Sequence, residues 1–269
     1  MLYGTVYGDV AGSAYEFHPV KDDNFSTIAK KHARFTDDTV MTAAVAHWLM
    51  YDPNRKPTYL VYAMQLFGLK YINAGYGRSF FSWLHDDKPH PYNSWGNGSA
   101  MRVSPCAWIA KSLEEAERLA KISAEVTHNH PEGIKGAQAT AAAIYLAKIG
   151  WSKEDIKHYI TSTYGYDLNR TTQEIKESGY KFEVACQKSV PEAIICFLES
   201  TSVESAIRLA ISLKGDADTQ AAIAGSIAEA FWGDVPKTKV SKYLDEHLNK
   251  TFTLFNKYCH EQFSNTTRE

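Results

Sequence analysis

The stretch Phe35–Met50, FTDDTVMTAAVAHWLM, decides the fold. Val40, Met41, Ala44, Val45, Trp48 and Leu49 recur every 3 to 4 residues, which gives one apolar face of an α-helix running from Thr39 to Met50. Small residues between Thr42 and Ala46 let neighbouring helix axes approach closely. Immediately before the helix stand Thr36, Asp37 and Asp38, which puts two carboxylates and a hydroxyl on exposed positions of its first turn.

The same pattern repeats outward from this segment. Ala137–Ala147 and Ala221–Ala230 are further helices rich in small residues. Ser104 followed by Pro105 reads as an N-cap with proline at the first helical position. Ser112–Glu115, Ser152–Asp155 and Thr201–Glu204 fit capping boxes, and Pro191 opens a helix over EAIICFLES. Gly150 and Gly233 stand where C-terminal glycines belong. Alternation suited to a strand is scarce; KFEVAC, Lys181–Cys186, is the best candidate and it is isolated. The least regular stretch, His85–Ser99, is a long loop rich in Pro, Gly, Asn and Asp, and loops of that length are more often functional than idle. With no repeat and no low-complexity linker, the expectation is an all-α chain forming one domain over residues 1–269.

Composition limits the function classes. The 269 residues are 44% hydrophobic, enough for a substantial core. A formal net charge of -2 gives no basic excess, so unspecific adhesion to nucleic acid or acidic membranes is not expected. Cys106, Cys186, Cys196 and Cys259 form no CxxC pair, and reduced thiols in a cytoplasmic protein are the simplest reading. The N-terminus lacks a basic segment followed by an apolar run, and no apolar stretch is long enough to span a membrane. The first motif starts within ten residues of Met1, so no segment is expected before it. Without heptads, a monomer is the default.

Six segments carry candidate chemistry. Thr36–Thr39 and Gly215–Thr219 (GDADT) both place carboxylates and hydroxyls at a helix start. Oxygen donors of this kind suit a hard cation, Mg²⁺ or Mn²⁺. Asp and Thr are also favoured as helix caps, so either cluster alone has a purely structural explanation. Together they carry more acid than caps need, and if the two helix starts converge, two divalent ions would balance the charge. Gly8–Glu16 (GDVAGSAYE) allows close backbone approach and ends in Glu16, a candidate acid or base; the bland alternative is a surface glutamate. The turns Asn73–Arg78 (NAGYGR) and Gly96–Arg102 (GNGSAMR) offer backbone N–H groups to a phosphate. In Thr127–Gly133 (THNHPEG) no third ligand has zinc spacing, which leaves His128 as a substrate contact or a structural histidine. The acids and histidines of WLHDDKPHP read as solvated loop.

In order along the chain, GDVAGSAYE, FTDDTVMT, NAGYGR, PYNSWGNGSAMRVSP, THNHPEGIKGAQATAAAIYLA, VPEAIICFLESTSVESAIRLAISLKGDADT and GDADTQAAIAGSIAEAFWG resemble the ADP-ribosylglycohydrolase family. That family includes the glycohydrolase that reactivates dinitrogenase reductase and the serine- and arginine-directed ADP-ribosyl hydrolases. The resemblance covers nearly the whole chain. It implies a compact, orthogonal all-α bundle with a binuclear Mg²⁺ or Mn²⁺ centre at one end. It implies metal ligation by Thr36, Asp37, Asp38, Asp216, Asp218 and Thr219, with Glu16, Asp38 and Asp218 as the catalytic acids. Gly75, Tyr76, Gly77, Asn97, Gly98, Ser99 and Met101 would line the ADP-ribose groove, and His128 would lie beside the substrate. Family members often carry two glycines before the second acidic motif, and here Lys214 takes the first of those positions.

The resemblance implies hydrolysis of the bond between ADP-ribose and a protein side chain, arginine or serine, with the GSAYE (Gly12–Glu16) and GYG (Gly75–Gly77) segments closer to the serine-directed branch. Other readings are a hydrolase of small ADP-ribose conjugates or of ADP-ribosylated nucleic acid, a toxin-neutralising binder, and a structural protein. Intact acidic clusters count against the last two.

Overall fold

A computed structural model describes residues 1–20, 25–27 and 32–264, and among these the fold is all α. Helices α1 (Tyr3–Gly12), α2 (Asp37–Tyr51), α3 (Pro57–Lys70) and α4 (Arg78–Leu84) precede the long loop. Then come α5 (Gly98–Met101), α6 (Ser104–Ile109), α7 (Leu113–Glu125), α8 (Pro131–Lys148), α9 (Lys153–Tyr164) and α10 (Thr172–Glu177). The chain closes with α11 (Cys186–Glu199), α12 (Val203–Ser212), α13 (Ala217–Trp232), α14 (Lys237–Val240), a short 3₁₀ turn and α15 (Glu246–Ser264). Among the described residues no helix is long and apolar enough to cross a membrane.

Three helices form the centre. Every residue of α1 is buried, as is α13 from Ala217 to Glu229. Helix α2 is buried from Asp38 to Leu49 except at His47. The single apolar face expected for α2 therefore gives way to burial nearly all round, because alanines and threonines on its other sides fit against neighbours without bulk. The outer α7 is the amphipathic kind, with Ala116, Leu119, Ala120, Ser123 and Ala124 turned inward.

Helices α1 and α13 touch backbone to backbone. A Cβ on Gly4 would lie 2.3 Å from the Gly225 carbonyl oxygen, on Gly8 2.0 Å from that of Ala221, and on Gly12 2.4 Å from that of Ala217. The three glycines are spaced one helical turn apart, and so are the three small residues facing them. This seam fixes how the ends of α1 and α13 stand to each other.

Several local expectations are corrected. Lys181–Val184 is irregular, not a strand. Only Ala185 pairs, in an isolated antiparallel bridge with Gly96. The Asn97 amide donates to the Val184 carbonyl (2.7 Å) and the Cys186 amide to that of Trp95 (2.9 Å), so the segment straps the glycine-rich loop instead of joining a sheet. Helix α11 starts where that strap ends, at Cys186, which leaves Pro191 inside it. Ser202, not Thr201, caps α12. Val103 is the N-cap of α6 and Ser104 its first helical residue. Ser112 caps α7, but Glu115 turns to the Lys111 amide (2.8 Å), so the box is only half made. Among the described residues the reciprocal capping box is at Thr171 and Glu174.

Candidate metal centre and substrate cavity

The first helix turns of α2 and α13 meet at the end of the α1–α13 seam. Asp9 of α1 is fully buried and organises the start of α2. Its carboxylate accepts from the Thr36 amide (2.9 Å), the Thr36 hydroxyl (2.7 Å) and the Thr39 amide (3.1 Å), and also from the Thr39 hydroxyl. The Asp37 amide donates to the Ala74 carbonyl (3.0 Å), which ties the NAGYG turn to the same helix start. The amides that a helix normally caps with its own first residues are therefore taken by Asp9 and Ala74, and Thr36 makes no side-chain cap. Asp216 likewise makes no cap for α13; its carboxylate accepts from the Asn97 side-chain amide (2.8 Å).

Relieved of capping, the acids face one another. Carboxylate oxygens of Asp9, Asp38 and Asp218 lie within 4.8 Å of one another, and so do those of Glu16, Asp216 and Asp218. Asp218 belongs to both groups. These side chains are not exposed, contrary to the expectation for first-turn acids: Asp38, Asp216 and Asp218 are 1%, 5% and 4% accessible. Burial, reinforced by the charges of Asp218 and Asp9, holds Asp37 and Asp38 well above the usual carboxylate range. Burial and then Asp216 do the same to Asp218. Burial pushes Asp9 and Asp216 up to about 6. Glu16, half-buried, is pushed up to about 8 by burial first and then by Asp218.

Asp38 Oδ1 is buried and has no hydrogen-bond partner. An orphaned carboxylate oxygen inside a set of oxygen-only donors fits a hard divalent cation, and the residues present suit Mg²⁺ or Mn²⁺.

The acids form one wall of a cavity of about 580 Å³. Of the expected site residues, Glu16, Asp37, Asp38, Asp216, Asp218 and Thr219 line it, as do Gly75, Gly77, Asn97, Gly98, Met101 and His128. Thr36, Tyr76 and Ser99 lie behind the wall. The Thr36 hydroxyl faces Asp9 and Asp38, and the Ser99 hydroxyl donates to the Gly133 carbonyl (2.7 Å). The Tyr76 ring packs on Phe80 (centroids 5.5 Å apart). The Thr219 hydroxyl reaches Asp38 across 181 positions of sequence (3.4 Å). His128, which also lines the cavity, is buried, and its Nδ1 is 2.7 Å from the Thr127 hydroxyl. Arg102 Nη2 donates to that hydroxyl (2.8 Å) and to the Ser123 carbonyl (2.7 Å). Trp95, Phe182 and Val184 form an exposed apolar rim.

Sequence reasoning passed over three participants. Asp9 stands inside GDVAGSAYE, whose expected acid is Glu16; an acid within an otherwise uncharged, glycine-rich helix must find buried partners, and that is the available signal. Arg102 and Thr127 gave no separate signal. Lys214 is exposed and does not line the cavity, so it adds no charge there. Its φ of 63° is left-handed, which explains why glycine suits that position. Gly215 next to it is held by contact: a Cβ there would lie 2.3 Å from Gln220 Oε1.

The chain is similar to several known proteins. The family model described as ADP-ribosylglycohydrolase matches residues 1–262. Human ADP-ribosylhydrolase ARH3 is 26% identical over 310 residues, covering 86% of this chain and 84% of that protein. ADP-ribosylarginine hydrolase Tri1 of Pseudomonas putida (strain GB-1) is 26% identical over 287 residues, covering 93% of this chain and 75% of that protein. A solved structure titled ADP-ribosylglycohydrolase-related protein complex superposes with a TM-score of 0.74 at 22% identity, covering 97% of this chain and 96% of its own; this likeness establishes the fold.

Proposed function

The chain belongs to the ADP-ribosylglycohydrolase family, and from that premise we propose that it hydrolyses the glycosidic bond joining ADP-ribose to a protein side chain, arginine or serine, with two divalent cations, Mg²⁺ or Mn²⁺, at the acidic wall. One observation carries the reading: two acid triads share Asp218 at the end of a cavity large enough for a nucleotide.

Asp9, Asp38 and Asp218 would hold one cation, and Glu16, Asp216 and Asp218 the other, with Asp37 and Thr219 at the cavity face. When bound, the cations supply charge balance, Lewis acidity at the ribose hydroxyls and a lower pKa for water at the site. The chain's own residues do the rest. The turns at Gly75–Gly77 and Asn97–Gly98 bring backbone close to the cavity, and binding of the remote diphosphate there holds the anomeric carbon in place. Asn97 fixes the orientation of Asp216. Glu16 is the acid of the cluster most open to solvent, a position from which a carboxylate takes the proton of the attacking water. The transition state resembles an oxocarbenium ion, and the carboxylates around Asp218 stabilise that developing positive charge.

The test is release of ADP-ribose from arginine- and serine-modified proteins in Mg²⁺, in Mn²⁺ and in EDTA. Release with metal and none in EDTA is expected. Release unaffected by EDTA would overturn the metal assignment. No release from either protein, with ADP-ribose still bound, would shift the substrate to a small conjugate or modified nucleic acid.

A further inference from the structure

The lining of the cavity also includes a buried cation, Arg102. It is 1% accessible, and its hydrogen-bond partners among the described residues are the Ser123 carbonyl and the Thr127 hydroxyl, with no carboxylate. Burial lowers its pKa only to about 10, so it stays charged at neutral pH and can only donate. One of its donations goes to the Thr127 hydroxyl (2.8 Å). That hydroxyl has one proton of its own, and the acceptor within reach is His128 Nδ1 (2.7 Å). The direction of the chain follows: Arg102 donates to Thr127, and Thr127 donates to His128. An Nδ1 that accepts carries no proton, so the neutral ring carries its proton on Nε2. Burial, with the charge of Arg102, keeps the ring neutral.

Among the described residues His128 Nε2 has no hydrogen-bond partner, although the ring lines the cavity. The space before it is kept clear by two glycines. A Cβ on Gly98 would lie 3.1 Å from Nε2, and one on Gly96 3.6 Å. An N–H in such a place is aimed at an acceptor on the ligand.

We propose that Arg102 and Thr127 are positioning residues that lock His128 as its Nε2–H tautomer and so present a fixed donor to an oxygen of ADP-ribose in the cavity. The choice of ADP-ribose rests on the function proposed above; the tautomer does not. The network also accounts for an arginine buried without a carboxylate: its charge polarises the relay and repels a second proton from the ring.

The test uses the full chain with His128 followed by imidazole ¹⁵N resonances, and ADP-ribose affinity measured by calorimetry in Mg²⁺. The wild-type ring should be the Nε2–H tautomer at pH 7, with Nδ1 showing the shift of a strong acceptor. Thr127→Val keeps the shape and removes the relay. It should return Nδ1 to an unbonded shift and weaken ADP-ribose binding by about tenfold, the effect of one mis-set hydrogen bond. Thr127→Ser should restore both. In a His128→Ala background, Thr127→Val should change affinity no further, which separates relay from general damage. A protonated Nδ1 in the wild type overturns the proposal, whatever ADP-ribose does. So does equal affinity of the Val and Ser variants. If the tautomer is as stated but the wild type binds no ADP-ribose, the relay stands and the choice of ligand falls.

Discussion

At Ser112, Ser152, Thr171 and Ser202 a hydroxyl before the helix accepts the amide three residues on, at 3.0 to 3.2 Å. At the starts of α2 and α13 the same class of residue is present and none of it caps. The first set lies at the protein surface or near it and satisfies the backbone locally. In the second, the α2 amides are satisfied from elsewhere, by Asp9 and the Ala74 carbonyl. That leaves Asp37 and Asp38 free to turn toward Asp218. An acid at a helix start thus caps the helix or turns inward to other acids according to who takes the amides.

The sharpest break of this comparison is at the inward set. Asp38→Asn or Asp218→Asn should reduce turnover by at least about a thousandfold, a loss of the size seen when a key electrostatic group is removed from a reaction site. Neither should lower the melting temperature of the metal-free protein, because each removes a repelled charge. Activity within tenfold of wild type in either variant would mean that these acids are not the ligands.

The next effect is on stability. Folded-state values are raised for Asp9 and Asp216 (from 3.8 to about 6) and for Glu16 (from 4.5 to about 8). At each group the folded state binds its proton more tightly than the unfolded chain does. Metal-free stability is therefore greatest on the acid side of this window and is lost as pH rises through the folded values. A fixed concentration of Mg²⁺ or Mn²⁺, set at about 100 to 1,000 times the dissociation constant measured at pH 8, should add about 3 to 4 kcal/mol there and less at pH 5, where protons compete for the same carboxylates. Melting curves with EDTA and with metal across that range check both signs. A metal-free protein that gains stability toward pH 8 would contradict the crowding.

Smaller effects belong to the surface set. Ser152→Ala should cost about 1 kcal/mol and leave turnover unchanged, as for an ordinary cap. Lys214→Gly, which relieves a left-handed backbone at the end of α12, should stabilise by at most about 1 kcal/mol. A change in turnover in either variant, read beside its melting curve, would blur the line between the two sets.

Much of this was legible in the sequence because it is local. The Ala-rich helices, the glycine stops at Gly150 and Gly233, the long loop and both acidic helix starts follow from patterns within a dozen residues. What was not legible depends on partners far along the chain. Burial of Asp38 and Asp218 needs α2 and α13 to meet, and Thr219 touches Asp38 across 181 positions. The KFEVAC segment has the alternation of a strand, but its partner is a glycine-rich loop, so only a single bridge forms. Asp9 looks like one polar residue in a tight helix until the amides of Thr36 and Thr39 are seen on it.

The glycine seam between α1 and α13 has a consequence for ion choice. Helices separated by side chains stand 8–10 Å apart on a compressible layer of rotamers. Here carbonyls and Cα atoms meet directly, with no room for a methyl group at Gly8 or Gly12. Asp9 and Glu16 on one side, and Asp216 and Asp218 on the other, are thus mounted on a jaw that opens little. On the metal assignment proposed above, a jaw of that stiffness is expected to discriminate by ionic radius, favouring a small ion with oxygen ligands at about 2.1 Å over one that needs about 2.4 Å. Gly8→Ala, by wedging the jaw, would shift the preference toward calcium before it abolished binding.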